Sequence, residues 1–331
     1  MEKEVFDVIV VGGGPVGLWA AYYSAFRGLK TVVIESTESL GGQAMYLYPE
    51  KVITDLPGIP AITGAELVRN LIKQMNSVSV ESVTGANVTS VSKDKGLMKI
   101  STTKGEFEGK YVILTPGVGN FIPNKLNVPE VDSFEGKGLY YFVKSKEDFR
   151  DKEIAIVGGG DSAVDWALEL APIAKKVHLV HRRTEFRAAQ SNINRAKELG
   201  VNFVVPYVVR SARGNSWIES VKLVNVQDNS EVELNVQALL MMLGYKLDVN
   251  SAKNWNVELD QNGILIDSNS RTSDPQIYAA GDIASPRNGI KQKLLVIGFA
   301  QATTAVNSIG KEINPYEPTY VHSTNVSKAI A

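Results

Sequence analysis

The chain has 331 residues, of which 44% are hydrophobic and 21% are charged, and its formal net charge is -1 at pH 7. This composition is typical of a folded protein large enough for two domains, and it excludes disordered and fibrous classes. The small net charge gives no general attraction to nucleic acid or to an anionic membrane, and the absence of cysteine excludes disulfides, Cys-ligated metals and thiol catalysis.

Two features of the sequence bear on location. No apolar run approaches the roughly 20 residues that span a bilayer. The N-terminal segment lacks the small-residue cleavage site of a signal peptide. We therefore expect a cytoplasmic enzyme with no membrane partner, no nucleic-acid partner and no metal site.

A strand, a glycine turn, a helix and a second strand are predicted over residues 6–35. Residues 8–11 form a β-branched run, and GGGPVG at 12–17 fits the dinucleotide-binding pattern G-x-G-x-x-G. Gly14 should let the backbone approach a pyrophosphate, and Glu35 should accept a hydrogen bond from a ribose 2'-hydroxyl. Because a carboxylate there repels a 2'-phosphate, the site should prefer FAD or NAD to NADP; the alternative is a purely structural turn.

The stretch after this unit predicts a helix, a meander and a domain boundary. A helix is expected over residues 62–75, with Thr63 as its N-cap. Short alternating segments over 78–107 predict an antiparallel meander, and residues 111–114 predict a separate buried strand. Prolines and charges between 119 and 152 indicate a domain boundary.

A second nucleotide-binding unit follows, with GGGDSA at 158–163 after a predicted strand. The next strand ends at His181 and is followed directly by Arg182 and Arg183, with Arg187 close behind. Guanidinium groups bind phosphate bidentately, so this unit should select the 2'-phosphate of NADP. A solvated basic cluster is the alternative.

The remaining sequence predicts the completion of both units. Strands over 201–243 are expected to complete the sheet of the second unit. A strand at 276–280 precedes Gly281 and Asp282, and a helix is expected over 293–309. The Asp282 carboxylate could hold a polar edge of a cofactor or could cap that helix.

Two dinucleotide units, the first ending in an acid and the second in arginines, resemble the two-dinucleotide-binding-domain flavoproteins over about residues 5–325. The outline is similar to low-molecular-weight thioredoxin reductase, with AAGD at 279–282 and HRRxxFR at 181–187. Those reductases carry a redox C-x-x-C before the second glycine motif, where this chain has residues 138–144 without cysteine. Disulfide reduction by that route is therefore excluded.

The detailed motifs resemble the thioredoxin-reductase-like ferredoxin-NADP reductases of bacteria and archaea. Besides GGGPVG, these are LGGQ at 40–43, LYPEK at 47–51, YFV at 141–143 and HST at 322–324. The resemblance implies an α/β fold of two Rossmann-like domains, for FAD and NADPH. The second domain is inserted in the first, and each carries an antiparallel meander.

The resemblance also implies domain limits and a reaction. The FAD domain is expected at 1–117 and 247–331, with a C-terminal tail over about 312–331, and the NADPH domain at 118–246. Electrons would pass between NADPH and ferredoxin through the flavin in a homodimer. An NAD(P)H oxidase, a quinone or flavin reductase, and a flavin redox sensor without turnover are the alternatives.

Residue roles follow from the resemblance, with no side chain expected to act as an acid or base. Tyr48 and His322 are expected near the two flavin faces. The residues expected to contact FAD are Gly12, Gly14, Pro15, Glu35, Gly42, Gln43, Tyr48, Val88, Phe121, Asp282, Ser323 and Thr324. The residues expected to bind NADPH are Gly158, Gly160, Asp161, Ser162, Ala163, His181, Arg182, Arg183 and Arg187.

Overall fold

The computed structural model describes residues 4–117, 122–246 and 253–320. The chain separates into two compact units. The first unit contains Met1–Phe121 and Leu247–Ala331, and the second contains Ile122–Lys246. The second unit is therefore an insertion in the first, as in the predicted α/β fold. None of the helices formed by the described residues is both long and apolar enough to cross a bilayer.

Helices and strands are numbered along the whole chain. The helices are α1 (Pro15–Phe26), α2 (Gly42–Tyr46), α3 (Gly64–Met75), α4 (Pro129–Asp132), α5 (Asp161–Leu170), α6 (Gln190–Glu198) and α7 (Leu295–Ile313). The strands are β1 (Val5–Val11), β2 (Thr31–Ile34), β3 (Val52–Ile53), β4 (Ile62–Thr63), β5 (Val80–Val83), β6 (Val88–Asp94), β7 (Leu97–Thr102), β8 (Gly105–Leu114), β9 (Ile122–Pro123), β10 (Leu139–Tyr140), β11 (Glu153–Val157), β12 (Lys176–Val180), β13 (Asn202–Val204), β14 (Tyr207–Arg213), β15 (Ser220–Asn225), β16 (Glu231–Asn235), β17 (Ala238–Met241), β18 (Tyr245–Lys246), β19 (Ile264–Ile266), β20 (Ile277–Ala279) and β21 (Ala284–Pro286). Two 3₁₀ turns lie at Lys146–Phe149 and Lys253–Trp255.

A seven-stranded sheet forms the centre of the first unit, in the order β5-β2-β1-β8-β7-β6, with β20 paired to β8. The strands β5, β2, β1, β8 and β20 are parallel, which buries β1 on both faces. Val8 and Val10 pack into the core beneath α1, α3 and α7, whereas Ile9 and Val11 pack into the core beneath the meander. The uninterrupted apolar run of β1 follows from these two cores.

The predicted meander differs from the observed one at both ends. Strand β5 (Val80–Val83) pairs in parallel with β2, so it extends the main sheet and is not part of the meander. The end of the predicted meander, up to residue 107, and the separate strand predicted at 111–114 belong to one strand, β8. This strand pairs antiparallel with β7 through its first residues and parallel with β1 through its later residues. The predicted strand boundary at residues 108–110 was therefore wrong.

The helix α3 begins as predicted at its cap, although it is shorter than expected. Thr63 is the N-cap, and its hydroxyl accepts a hydrogen bond from the Glu66 amide at 3.2 Å. Ile62 and Thr63 themselves belong to β4, so the helix covers Gly64–Met75. The last helix, α7, begins two residues later and ends four residues later than expected.

The second unit contains a five-stranded parallel sheet in the order β10-β17-β11-β12-β13. The strands expected over 201–243 do not all join it, because β14, β15 and β16 form a separate antiparallel sheet. That sheet is the meander expected for this unit. Helix α6 lies between β12 and β13, where no helix was predicted.

Candidate functional site

The first glycine turn joins β1 to α1 and is packed too tightly for side chains. Gly12 has φ +107°, and a Cβ there would lie 2.4 Å from the Thr115 carbonyl oxygen. A Cβ on Gly17 would lie 1.8 Å from the Gly12 carbonyl oxygen. The Thr115 hydroxyl donates a hydrogen bond to that same oxygen at 2.9 Å. Glycine is therefore required at both positions for α1 to pack against the end of β1.

The start of α1 has unused hydrogen-bond donors. Gly14 is its N-cap and provides no side-chain cap, and Pro15 occupies the first turn. Gly14 also faces Gly42, where a Cβ would lie 2.8 Å from the Gly14 Cα. The bare backbone at this helix N-terminus fits a phosphate group.

The carboxylate of Glu35 closes the turn from the end of β2. Glu35 is 6% exposed. Its Oε2 accepts a hydrogen bond from the Gly13 amide at 2.6 Å, and its Oε1 accepts one from the Thr37 amide at 2.8 Å. The carboxylate also lines the adjoining pocket. Glu35 therefore fixes the glycine turn and presents negative charge to whatever binds beside it.

A pocket of about 1030 Å³, counted to its open mouth, lies along this turn. A pocket of this size, lined by the glycine turn, fits a dinucleotide such as FAD. The pocket brings together the predicted residues Gly12, Gly14, Pro15, Glu35, Gly42, Gln43, Tyr48, Val88 and Asp282. Four further predicted residues lie outside the described residues, namely Phe121, His322, Ser323 and Thr324.

Several pocket residues were not predicted as ligand contacts. Thr115 follows the carboxyl end of β8, which is where α/β sheets bind ligands, so its position could have identified it. Asn87 precedes β6, and Trp255 lies in a 3₁₀ turn far along the chain. Leu295 is the first residue of α7. No local motif marks these last three residues.

The position of Asp282 bears on its two proposed roles, a cofactor contact and a helix cap. Asp282 lines the pocket just after β20. Helix α7 has Leu294 as its N-cap and no side-chain cap. Asp282 therefore does not cap that helix, and its contact with a cofactor stays a prediction.

The second glycine turn joins β11 to α5 and repeats the steric logic of the first. A Cβ on Gly158 would lie 2.6 Å from the Met242 carbonyl oxygen. A Cβ on Gly159 would lie 2.2 Å from the His181 ring, which covers the turn. A Cβ on Gly160 would meet nothing within 4 Å, so the space beside the start of α5 is open.

Positive charge surrounds the end of β12. Arg182, Arg183 and Arg187 are exposed, and none of them forms an ion pair with a carboxylate among the residues the structure describes. Burial lowers the pKa of His181, and the three neighbouring arginines lower it further. The imidazole is therefore neutral at pH 7, and the guanidinium groups keep their full charge for an anionic ligand.

Asp161, at the start of α5, has a structural contact of its own. Its carboxylate accepts a hydrogen bond from the Ala189 amide at 3.2 Å. The Arg187 amide donates to the Gly159 carbonyl oxygen at 2.8 Å. These two bonds attach the arginine loop to the glycine turn, so both parts of the predicted NADPH site lie together. Ser162 is exposed and Ala163 is buried beneath them.

Comparison with known proteins gives one family over most of the chain. A family model described as pyridine nucleotide-disulphide oxidoreductase matches residues 6–308. The chain is 37% identical over 325 residues to a ferredoxin-NADP reductase of Lacticaseibacillus paracasei, with 98% of each chain covered. It is also 37% identical over 330 residues to a ferredoxin-NADP reductase of Enterococcus faecalis, covering 98% of this chain and 97% of the relative.

Solved structures give the same architecture. A thioredoxin reductase of Lactococcus lactis is 28% identical with a TM-score of 0.79, covering 92% of this chain and 98% of the other. A thioredoxin reductase of T. acidophilum has a TM-score of 0.83 at 23% identity, covering 94% and 99%. The second likeness supports the fold alone.

Proposed function

The chain belongs to the pyridine nucleotide-disulphide oxidoreductase family, and on that premise we propose that it transfers electrons between NADPH and a ferredoxin. FAD and NADP(H) are the cofactors of this family and of its ferredoxin-reducing members. The enzyme is thus an FAD-dependent oxidoreductase that uses NADPH. The proposal concerns the identity of its electron acceptor.

The absence of cysteine is the observation that carries this proposal. The family name includes disulfide chemistry, yet the 331 residues contain no cysteine. No protein thiol can relay electrons, so an acceptor must take them directly from the cofactor. The relatives at 37% identity are named for an acceptor of that kind, a ferredoxin.

The two glycine turns suggest which cofactor each unit holds. We assign FAD to the first unit, where the Glu35 carboxylate disfavours a 2'-phosphate. We assign NADPH to the second, where Arg182, Arg183 and Arg187 are free to bind that phosphate. FAD, when bound, would supply the redox chemistry, namely hydride transfer with NADPH and single-electron transfer with the acceptor. The protein's part is to bind and orient the two nucleotides.

A homodimer is part of the proposal. Half-buried aromatic side chains follow one another along α1 at Trp19, Tyr22 and Phe26, with Phe299 of α7 against Trp19. An aromatic surface of this kind suits a second copy of the chain. Sedimentation equilibrium of the FAD-loaded protein should give twice the 36.0 kDa chain mass, and a single-chain mass would contradict this part.

The test is steady-state turnover of the purified, FAD-loaded protein. NADPH or NADH is supplied with one acceptor at a time: an acidic [4Fe-4S] ferredoxin, thioredoxin, a quinone or oxygen. We expect efficient ferredoxin reduction with NADPH and none of thioredoxin. Faster turnover with quinone or oxygen than with ferredoxin would indicate a quinone reductase or an oxidase. A bound flavin that NADPH does not bleach would indicate a redox sensor.

A further inference from the structure

The loop between β21 and α7, residues 287–294, is the most exposed apolar and basic segment beside the FAD pocket. Its sequence is RNGIKQKL, with three positive charges and no acid. Ile290 is 84% exposed and is the most exposed of the large aliphatic residues that the structure describes. Leu294 is 42% exposed. An aliphatic side chain this free of packing has no role in the core of the unit.

The charges of this loop are only partly compensated. Arg287 forms an ion pair with Glu258 at 2.5 Å. The Lys291 amine donates a hydrogen bond to the backbone carbonyl of Asn262, and the Asp282 and Asp260 carboxylates interact favourably with its charge. Lys293 is exposed and has no carboxylate partner among the residues that the structure describes. The exposed Ile290 therefore lies three residues before one uncompensated positive charge, that of Lys293.

The C-terminal end of the loop adjoins the pocket that we assign to FAD. Asp282 lines the pocket five residues before the loop begins, and Leu295 lines it directly after the loop ends. A molecule bound at the C-terminal end of the loop would therefore lie close to the pocket. An electron carrier needs this closeness, because it must take electrons from the cofactor without a protein thiol between them.

A second lysine-rich surface, on the meander, offers less net charge. Lys93 pairs with Asp274 at 3.2 Å. Lys99 pairs with Glu106 at 2.9 Å, and Lys110 pairs with Asp7 at 2.7 Å. These acids cancel the local field, so the meander would attract an acidic protein weakly.

We propose that the loop 287–294 is the docking surface for the acidic iron-sulfur protein, with Ile290 as apolar contact and Lys293 as electrostatic contact. This inference rests on the proposed function and adds the place where the acceptor binds. Opposite charges on the two proteins raise the rate of encounter, and a desolvated apolar contact at the centre of the interface slows dissociation. Charge and apolar exposure together fit an acidic protein better than a small acceptor.

The experiment uses FAD-loaded full-length protein and an acidic [4Fe-4S] ferredoxin. The variants are Lys293→Glu and Ile290→Ser. The matched controls are Lys95→Glu, on the exposed meander turn, and Val226→Ser, a 47% exposed residue in the second unit. NADPH-driven reduction of ferredoxin and of a small neutral quinone is measured at low and high salt. The affinity of the two oxidised proteins is measured by titration calorimetry.

We expect Lys293→Glu to raise the KM for ferredoxin about tenfold at low salt and to flatten its salt dependence. We expect Ile290→Ser to raise that KM about fivefold. The calorimetric Kd should rise in parallel, and quinone reduction should stay unchanged in both variants. Both control variants should match the wild type with both acceptors.

Three results would overturn the inference. If the wild type reduces ferredoxin and the loop variants behave like the controls, the docking surface lies elsewhere while the proposed function stands. If Lys95→Glu shows the larger effect, the meander is the docking surface. If the wild type reduces quinone with NADPH but not ferredoxin, the proposed function fails and the docking inference fails with it.

Discussion

Replacing Glu35 by alanine tests the structure of the first glycine unit most directly. The carboxylate is 6% exposed and accepts hydrogen bonds from two backbone amides, those of Gly13 and Thr37. Alanine removes both acceptors and leaves no other side chain in their place. The variant Glu35→Gln keeps one carbonyl oxygen but turns an amide N–H₂ toward the remaining donors.

The expected loss in the free energy of unfolding follows from how exposed each N–H donor is. Gly13 is buried, so its N–H would be left without a partner at a cost of about 2 kcal/mol. Thr37 is half-buried and water can reach its N–H, so losing the hydrogen bond from this amide costs about 1 kcal/mol. Glu35→Ala should therefore lower the free energy of unfolding by about 3 kcal/mol, and Glu35→Gln by about 1–2 kcal/mol.

Binding of FAD gives a second measure of the same side chain. If Glu35 also accepts a hydrogen bond from the ribose, Glu35→Ala should weaken FAD about 10- to 100-fold. Urea unfolding of the FAD-free protein and fluorescence titration with FAD measure the two effects. Glu81→Ala, an exposed carboxylate on the neighbouring β5, is the control and should change stability by less than about 0.5 kcal/mol. The reasoning is refuted if Glu35→Ala matches this control in both assays.

Three further predictions concern the nucleotide turns and the second unit. The double variant Arg182→Ala with Arg183→Ala should raise the Kd of NADPH about 10- to 100-fold and leave that of NADH nearly unchanged; equal losses in titrations of both nucleotides would contradict the phosphate assignment. Burial lowers the pKa of His178, so the unfolded chain binds the proton more tightly, and the unfolding free energy should fall as pH drops below about 6.5. His178→Gln should flatten this fall in denaturation curves measured between pH 7 and 5, and an unchanged slope would exclude this residue as its source. Gly17→Ala places a Cβ against the carbonyl oxygen that begins the first turn and should cost more than about 3 kcal/mol and release FAD, whereas Gly160→Ala, with open space around it, should fold normally by circular dichroism.

The sequence predicted the parallel core of the fold well and its edges less well. The run at residues 8–11 identified β1, because a strand buried on both faces is apolar at every position. Strand β5 is partly exposed and lies at the edge of the sheet, so its composition fits an antiparallel strand as well as a parallel one. Strand β8 changes partners along its length, and local pattern cannot show which neighbour a strand meets. Pairing of distant segments decides these cases.

The candidate site likewise contains residues that local sequence predicts and residues that only tertiary packing places there. Residues in the glycine motifs were predicted because their spacing reflects a backbone requirement that is local in the chain. Asn87, Trp255 and Leu295 enter the pocket through tertiary packing, and their own neighbours in sequence carry no corresponding requirement. The structure was also needed to exclude Asp282 as the cap of α7, because an acid at this point of the sequence fits a helix cap and a pocket residue equally well.

The two glycine units use one backbone arrangement with opposite chemistry at one position. In each unit, a Cβ on the first glycine would collide with a backbone carbonyl oxygen just after the adjacent parallel strand. The middle glycine is covered in the first unit by the Glu35 carboxylate and in the second by the neutral His181 ring. A carboxylate in place of His181 would pair with Arg182 and cancel part of the positive charge that attracts a phosphate. We therefore expect selectivity for a 2'-phosphate in the second unit to depend on the missing acid as well as on the arginines that follow it.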